Sequence, residues 1–326
     1  MSDSASLNGS SLSTPWYVDY RALVPLMMIF FAQGCVMFVC GGTICSAILA
    51  HAALRERKSF VLIAGQKFVD MGLGVTHMLA AVRRLSIIFN GTENNETTML
   101  ACALVPSNFV RLILFSWTYF IMLNTISIDR LILVMYPTWW MRQNQSYAHT
   151  VLGITYGVGL SFGIYSFYDV LRSSERAVHH ICTTEMAVTQ TTTILFVVLS
   201  NLLAFSSCLI YVVVIVCYVR RKSRVFSETV ANILRKEHPY VMSMGMTIAF
   251  TFLLICVPTY VLAVVLLLYG ERTPTSFIYG VTCTINMNMI MSGVAYMRKH
   301  NELGRGFTAL LKRKTMPHNL QLWHVT

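Results

Sequence analysis

Three groups of residues carry the chemistry open to this 326-residue chain. Asp129 and Arg130 stand side by side at the end of an apolar run, in "TISIDRLILVMYP", with Pro137 seven residues beyond the arginine. A carboxylate and a guanidinium there can hold one another, and a released guanidinium is a planar, permanently charged fork that seeks another acceptor. Lys67 and Asp70 lie three apart in a second apolar run, and in a helix that spacing puts them on one face. Cys102 and Cys182 are the third group: of nine cysteines they alone are placed in segments at the outer face, the other seven lying within spans. Enzyme chemistry is not expected. His179 and His180 have no HxxxH-type partner and no serine has a triad context, so the sequence implies neither a metal nor a cofactor.

The elements that must position these residues follow from composition. Hydrophobic residues make up 55% of the chain and charged residues 12%, against roughly 25% charged in a soluble domain. Seven segments reach the roughly 20 apolar residues that a bilayer crossing needs: 23–50, 60–82, 99–128, 148–168, 190–218, 240–269 and 275–297. Barrel strands would instead read as about 10 alternating residues between turns. The expected fold is an all-α membrane protein, a seven-helix bundle over 23–297. A polar tail, 1–22, precedes it without the pattern of a cleaved signal peptide, and a basic tail, 298–326, follows. No repeat or linker divides the bundle.

Charge sets the expected orientation. Of the 25 Lys and Arg, 17 fall in 55–58, 130–142, 220–236 and 298–314, all on one side of such a bundle. The positive-inside rule makes that side cytoplasmic and places the N-terminus outside. Lipid headgroups account for the +11 net charge, so nucleic acid is not an expected partner. Cys102 and Cys182 then face an oxidising compartment and are expected to bridge, the alternative being two free thiols. Sequons at Asn8, Asn90 and Asn95 also fall outside; Asn144 matches the same pattern in an inner loop. Lys67 and Arg111 are the two basic residues inside spans. Each intramembrane charge costs about 2.5 to 3.5 kcal/mol on insertion scales, which favours pairing or a wet cavity. For Lys67 and Asp70 the simplest outcome is a mutual salt bridge, and for Asp129 and Arg130 an interfacial ion pair.

The seven spans, the Asp-Arg pair and Pro137 together resemble the rhodopsin-like G-protein-coupled receptors, with Leu131 where their signature has tyrosine. Asp70 in "FVDMGLG" resembles that family's buried acid, and Pro258 in "LLICVPTYV" its helix 6 proline. "SGVAY" stands at the helix 7 motif and keeps only Tyr296, and "MRKHNELGRGFTALLKRK" looks like the short amphipathic helix after it, with Leu303, Phe307, Leu310 and Leu311 toward lipid. Departures are Thr43 after Gly42, Cys256 in place of the helix 6 tryptophan, no helix 4 tryptophan, no helix 5 proline, and His238 beside Glu237 at the base of helix 6. Cys102 is about a turn further from Arg130 than usual, an irregularity that Pro106 marks. This pattern, with "KSFVLIAGQKFVDMGLG" and "SIDRL", most resembles the nematode serpentine chemoreceptors of the Srsx family.

The resemblance implies a chemosensory receptor of the plasma membrane, displayed on sensory cilia, that binds a small neutral molecule and activates a heterotrimeric G protein. It implies a switch of Asp129, Arg130, Glu237, Pro258 and Tyr296, and a polar core in which Asp70 joins Asn286 and Asn288. Tyr119 stands where a sodium site would need a small hydroxyl. The implied pocket lies between the outer halves of helices 3, 5, 6 and 7, lined by Leu112, Ser116, Trp117, Thr259, Tyr260, Thr282 and Asn286; Leu112 replaces the acid of amine receptors. A ligand-gated channel or transporter is the rival class, although no acidic ring or inverted repeat supports it. A retinal protein is excluded because 275–297 has no lysine.

Overall fold

The computed structural model describes residues 23–92, 95–183, 186–224, 241–242, 245–269, 275–300, 303–304 and 307–308. Seven helices among them are long and apolar enough to cross a membrane. They are span 1 (Val24–Ala50), span 2 (Lys58–Phe89), span 3 (Pro106–Met135), span 4 (Gln145–Arg172), span 5 (Gln190–Arg224), span 6 (Gly245–Val265) and span 7 (Thr275–Lys299). Spans 2 and 3 bury half of their most apolar windows and form the centre, whereas span 4 buries 22% and is peripheral. The periphery is apolar, with Ile154, Leu202, Phe205 and Val212 exposed, as a lipid-facing surface requires.

Span 3 begins seven residues later than the hydropathy of the sequence indicates. Met99–Ala103 forms a separate helical turn, Val105 is extended, and the span starts with Pro106 in its first turn. Proline lacks the N–H that a helix interior must bond and forces its predecessor out of the helical region, so it opens the helix.

Two π-helical turns, neither expected, interrupt the long helices: Arg111–Phe115 in span 3 and Phe252–Cys256 in span 6. The second ends two residues before Pro258. A wider turn there absorbs the backbone bond that the proline cannot make. Facing the first, Gly163 of span 4 is so close that a Cβ would sit 2.2 Å from the Ile113 carbonyl oxygen, and one on Gly72 of span 2 would meet the Phe115 ring. Small residues let membrane helices approach to backbone contact.

One end of the bundle carries Asp129 and Arg130. The other carries a two-stranded antiparallel ribbon, β1 (Glu96–Thr98) with β2 (Ala177–His179), in which Thr97 pairs with Val178. Below the ribbon a small core of Met99, Cys102, Leu112, Val170, Cys182 and Val188 fastens the segment after span 4 to span 3. At the Asp-Arg end Leu303, expected toward lipid, is instead fully buried in the main core with Tyr296. Phe307 is half-buried; Leu310 and Leu311 lie outside the described residues.

Candidate functional site

A cavity of about 280 Å³ opens between spans 3, 5, 6 and 7, in the half of the bundle that carries the ribbon. Leu112, Ser116, Trp117, Thr259, Thr282 and Asn286 line it. Tyr260, placed in the pocket by sequence reading, does not: it is 69% exposed on the outside of the bundle. Its neighbour Thr259 takes the inward position, because consecutive helix residues point about 100° apart.

Trp117 supplies the aromatic floor. It stacks on Phe162 at 4.9 Å, meets Phe196 edge-on at 4.9 Å, and donates its indole N–H to Ser166 Oγ at 3.1 Å. Across the cavity Thr259 donates to Asn201 Oδ1 at 2.6 Å, joining spans 5 and 6 one residue after Pro258. Sequence reading missed Asn201, Phe196, Thr192 and His77, all of them lining residues. Polar or aromatic residues inside a span were the available signal, but the pattern does not say which face is inward.

Beneath the cavity lies a buried polar layer. Lys67 pairs with Asp70 at 2.5 Å, both charges almost wholly buried, and also donates to Ser292 Oγ at 2.5 Å and to the Met289 carbonyl at 3.4 Å. The ammonium therefore ties span 2 to span 7. Asn286 and Asn288 do not join that pair. Asn286 donates to Gln33 Oε1 at 3.1 Å, reaching span 1. Asn288 donates to Tyr119 at 2.8 Å and to Thr251 at 3.3 Å, reaching spans 3 and 6. Opposite faces of one turn of span 7 thus address different neighbours, since residues two apart point about 200° apart, an arrangement that grouping the polar residues by type could not show.

At the far end Asp129 and Arg130 are each 1% exposed and stand 3.4 Å apart, so the pair is buried within the protein. One oxygen of Asp129 faces Arg130; the other accepts from Trp140 Nε1 at 3.0 Å and from the Tyr147 hydroxyl at 3.2 Å. Trp140 belongs to the short helix Pro137–Arg142, which Pro137 opens in its first turn. It is fixed in turn by Lys58, whose ammonium lies 4.0 Å from the ring and donates to the Trp140 and Gln143 carbonyls. Glu237 lies outside the described residues. Spans 3 and 5 are pinned nearby by Ser127 to Ser207 at 2.7 Å, and Arg221 of span 5 donates to the Met135 carbonyl at 2.8 Å. Tyr296 is fully buried, its hydroxyl 3.4 Å from Gln66 Oε1 and its ring 6.3 Å from that of His300. Burial, then the charges of Arg130 and Arg57, push His300 down to about 4.

Over the cavity, Cys102 and Cys182 are buried free thiols, close enough to share a hydrogen bond that, ahead of the nearby Arg83, pulls Cys182 down to about 7. The Cys182 backbone is left-handed, with φ at 48°, and its carbonyl accepts from Arg84 at 3.2 Å and from Asn108 at 3.3 Å. Asn90 and Asn95 are exposed at the same end; Asn8 lies outside the described residues.

Compared with known proteins, the chain matches no family model and no curated sequence.

Proposed function

We propose that the chain is a G-protein-coupled chemosensory receptor of the plasma membrane, of the Srsx type. A small molecule enters the cavity from outside, and a heterotrimeric G protein docks at the Asp129–Arg130 end inside. The observation that carries this reading is that one helix, span 3, runs from the cavity to the arginine: Leu112, Ser116 and Trp117 face the cavity, and Arg130 is buried at the other end, about 20 Å or more away along the helix.

Binding acts on span 6 through Thr259 and on span 7 through Asn286. The π turn and Pro258 mark where span 6 bends most cheaply, and outward movement of its far half uncovers Arg130. A ligand shifts that equilibrium only by its preference for the open form. The excess of basic residues at the Asp-Arg end supports an orientation with that end on cytoplasmic lipid headgroups and the N-terminus outside. Outside, Cys102 and Cys182 oxidise to a bridge, and Asn90 and Asn95 are open to glycosylation.

The test is a second-messenger readout in cells expressing the full chain, together with placement of both termini by epitope tags. The reading predicts ligand-evoked, G-protein-dependent signalling, with a tag before Met1 stained on intact cells and one after Thr326 only after permeabilisation. The reverse staining, with ligand-evoked current in the absence of G protein, would instead make the protein a channel.

A further inference from the structure

We propose that the ligand is a small organic carboxylate: its anionic group seats between Arg111, Arg84 and His77, and its apolar body lies against Trp117 and Phe196. The inference rests on the receptor reading for the place of the site, and it names the ligand's chemical class. Leu112 alone points to a neutral ligand, since it removes the acid that would hold an amine. Geometry adds the cation beside it.

Arg111 and His77 stand on the cavity wall. Both also line an adjoining space of about 10 Å³, room for about one water-sized group, whose lining also includes Arg84, Tyr279 and Thr282. Thr282 belongs to both spaces as well. A narrow recess with Arg84 on its wall therefore lies beside the cavity, and Arg111 belongs to both walls. Arg84 is 6% exposed, and a single donation to the Cys182 carbonyl and the face of Tyr279, at 5.7 Å, hold its fork. A guanidinium carries five N–H donors, so capacity remains. No carboxylate is among the described residues lining either space.

Charge decides between ligand classes. A wholly apolar ligand would displace water from the recess and return no hydrogen bond, at the cost of desolvating a polar group. An amine would meet like charge. A carboxylate replaces the lost water with charge-assisted bonds, which are shorter and about twice as strong as neutral ones. The opposite wall, Trp117, Phe120 and Phe196, offers aromatic surface to the rest of the molecule.

The experiment measures thermal stabilisation of the purified full chain by 3-phenylpropionate and octanoate, each beside its methyl ester and primary amide. The acids should stabilise at concentrations roughly tenfold or more below their ester and amide counterparts. Arg111→Gln should remove that preference and Arg111→Lys should keep part of it; Leu202→Ala, on the lipid face, should change nothing. Arg84→Gln, if it folds, should weaken the acids alone. Equal or better binding of esters and amides, an undiminished acid preference in Arg111→Gln, or no stabilisation by either acid at millimolar concentration overturns the proposal. Because binding is read without a G protein, acids that bind but evoke no signalling would overturn the receptor reading and leave this one standing; signalling evoked by the neutral analogues alone would do the reverse.

Discussion

A buried charge is governed by its partners. Lys67 and Asp70 were legible as a pair from their spacing; that Ser292 and the Met289 carbonyl complete the ammonium's shell was not, because those contacts come from a helix more than 200 residues away. Removing one member of a buried pair strands the other, which costs about 3 to 5 kcal/mol, whereas replacing both by apolar residues is often neutral. Asp70→Asn should therefore lower the melting temperature of the purified protein sharply, and Lys67→Met with Asp70→Leu should restore most of it; equal loss in both would show that the layer is held by something else. His300 makes a second prediction. Its burial among Phe60, Tyr296, Arg57 and Arg130 depresses its pKa from the ordinary 6.5 to about 4, so the unfolded chain takes up the proton first. The stability tied to neutral His300 is complete above 6.5 and is lost as pH falls toward 4, by roughly 3 kcal/mol. Acid titration of the melting temperature should show a flatter fall over that window in His300→Gln than in the wild type. Tyr260 and Leu303 are the instructive errors of side-chain placement. Both are hydrophobic or aromatic residues in plausible helices, and which way a helix turns is fixed by the neighbours it packs on.

At the scale of elements, hydropathy located the spans well, because length and apolarity are direct requirements of a bilayer. It misjudged span 3, where an apolar stretch runs unbroken through Pro106 and only backbone chemistry separates the turn Met99–Ala103 from the span. The π turns and the ribbon left no such signature. A π turn is one residue more than the helix needs, and three-residue strands lack a period long enough to read. Span 4 nevertheless records the first π turn in its glycines. Gly163 meets the Ile113 backbone at distances no Cβ tolerates, while Gly157 has nothing near it. Gly163→Ala should destabilise the bundle, by about 1 to 3 kcal/mol if the helices give way. Gly157→Ala should be neutral or slightly stabilising, since alanine is the better helix former. Matched melting curves of the two variants check this contrast, and identical behaviour would mean that spans 3 and 4 pack less closely than described.

Across the whole molecule, cavity and Arg130 occupy opposite ends of one helix, and the polar contacts between them fall on spans 1, 2, 5, 6 and 7 as well as on span 3. The sequence suggested that division of labour through resemblance. It did not show that Asp129 is gripped by Trp140 and Tyr147 as well as facing Arg130, since the grip depends on the short helix after Pro137 folding back under span 3. The grip sharpens the central claim, that Asp129 holds Arg130 inactive until span 6 moves. The most direct measurement needs no ligand: basal G-protein activation in cells, at matched surface level, for wild type, Asp129→Asn, and Asp129→Asn with Arg130→Ala. The account predicts a raised baseline in Asp129→Asn that Arg130→Ala abolishes. Equal baselines in all three would contradict it and leave the buried pair as a structural contact.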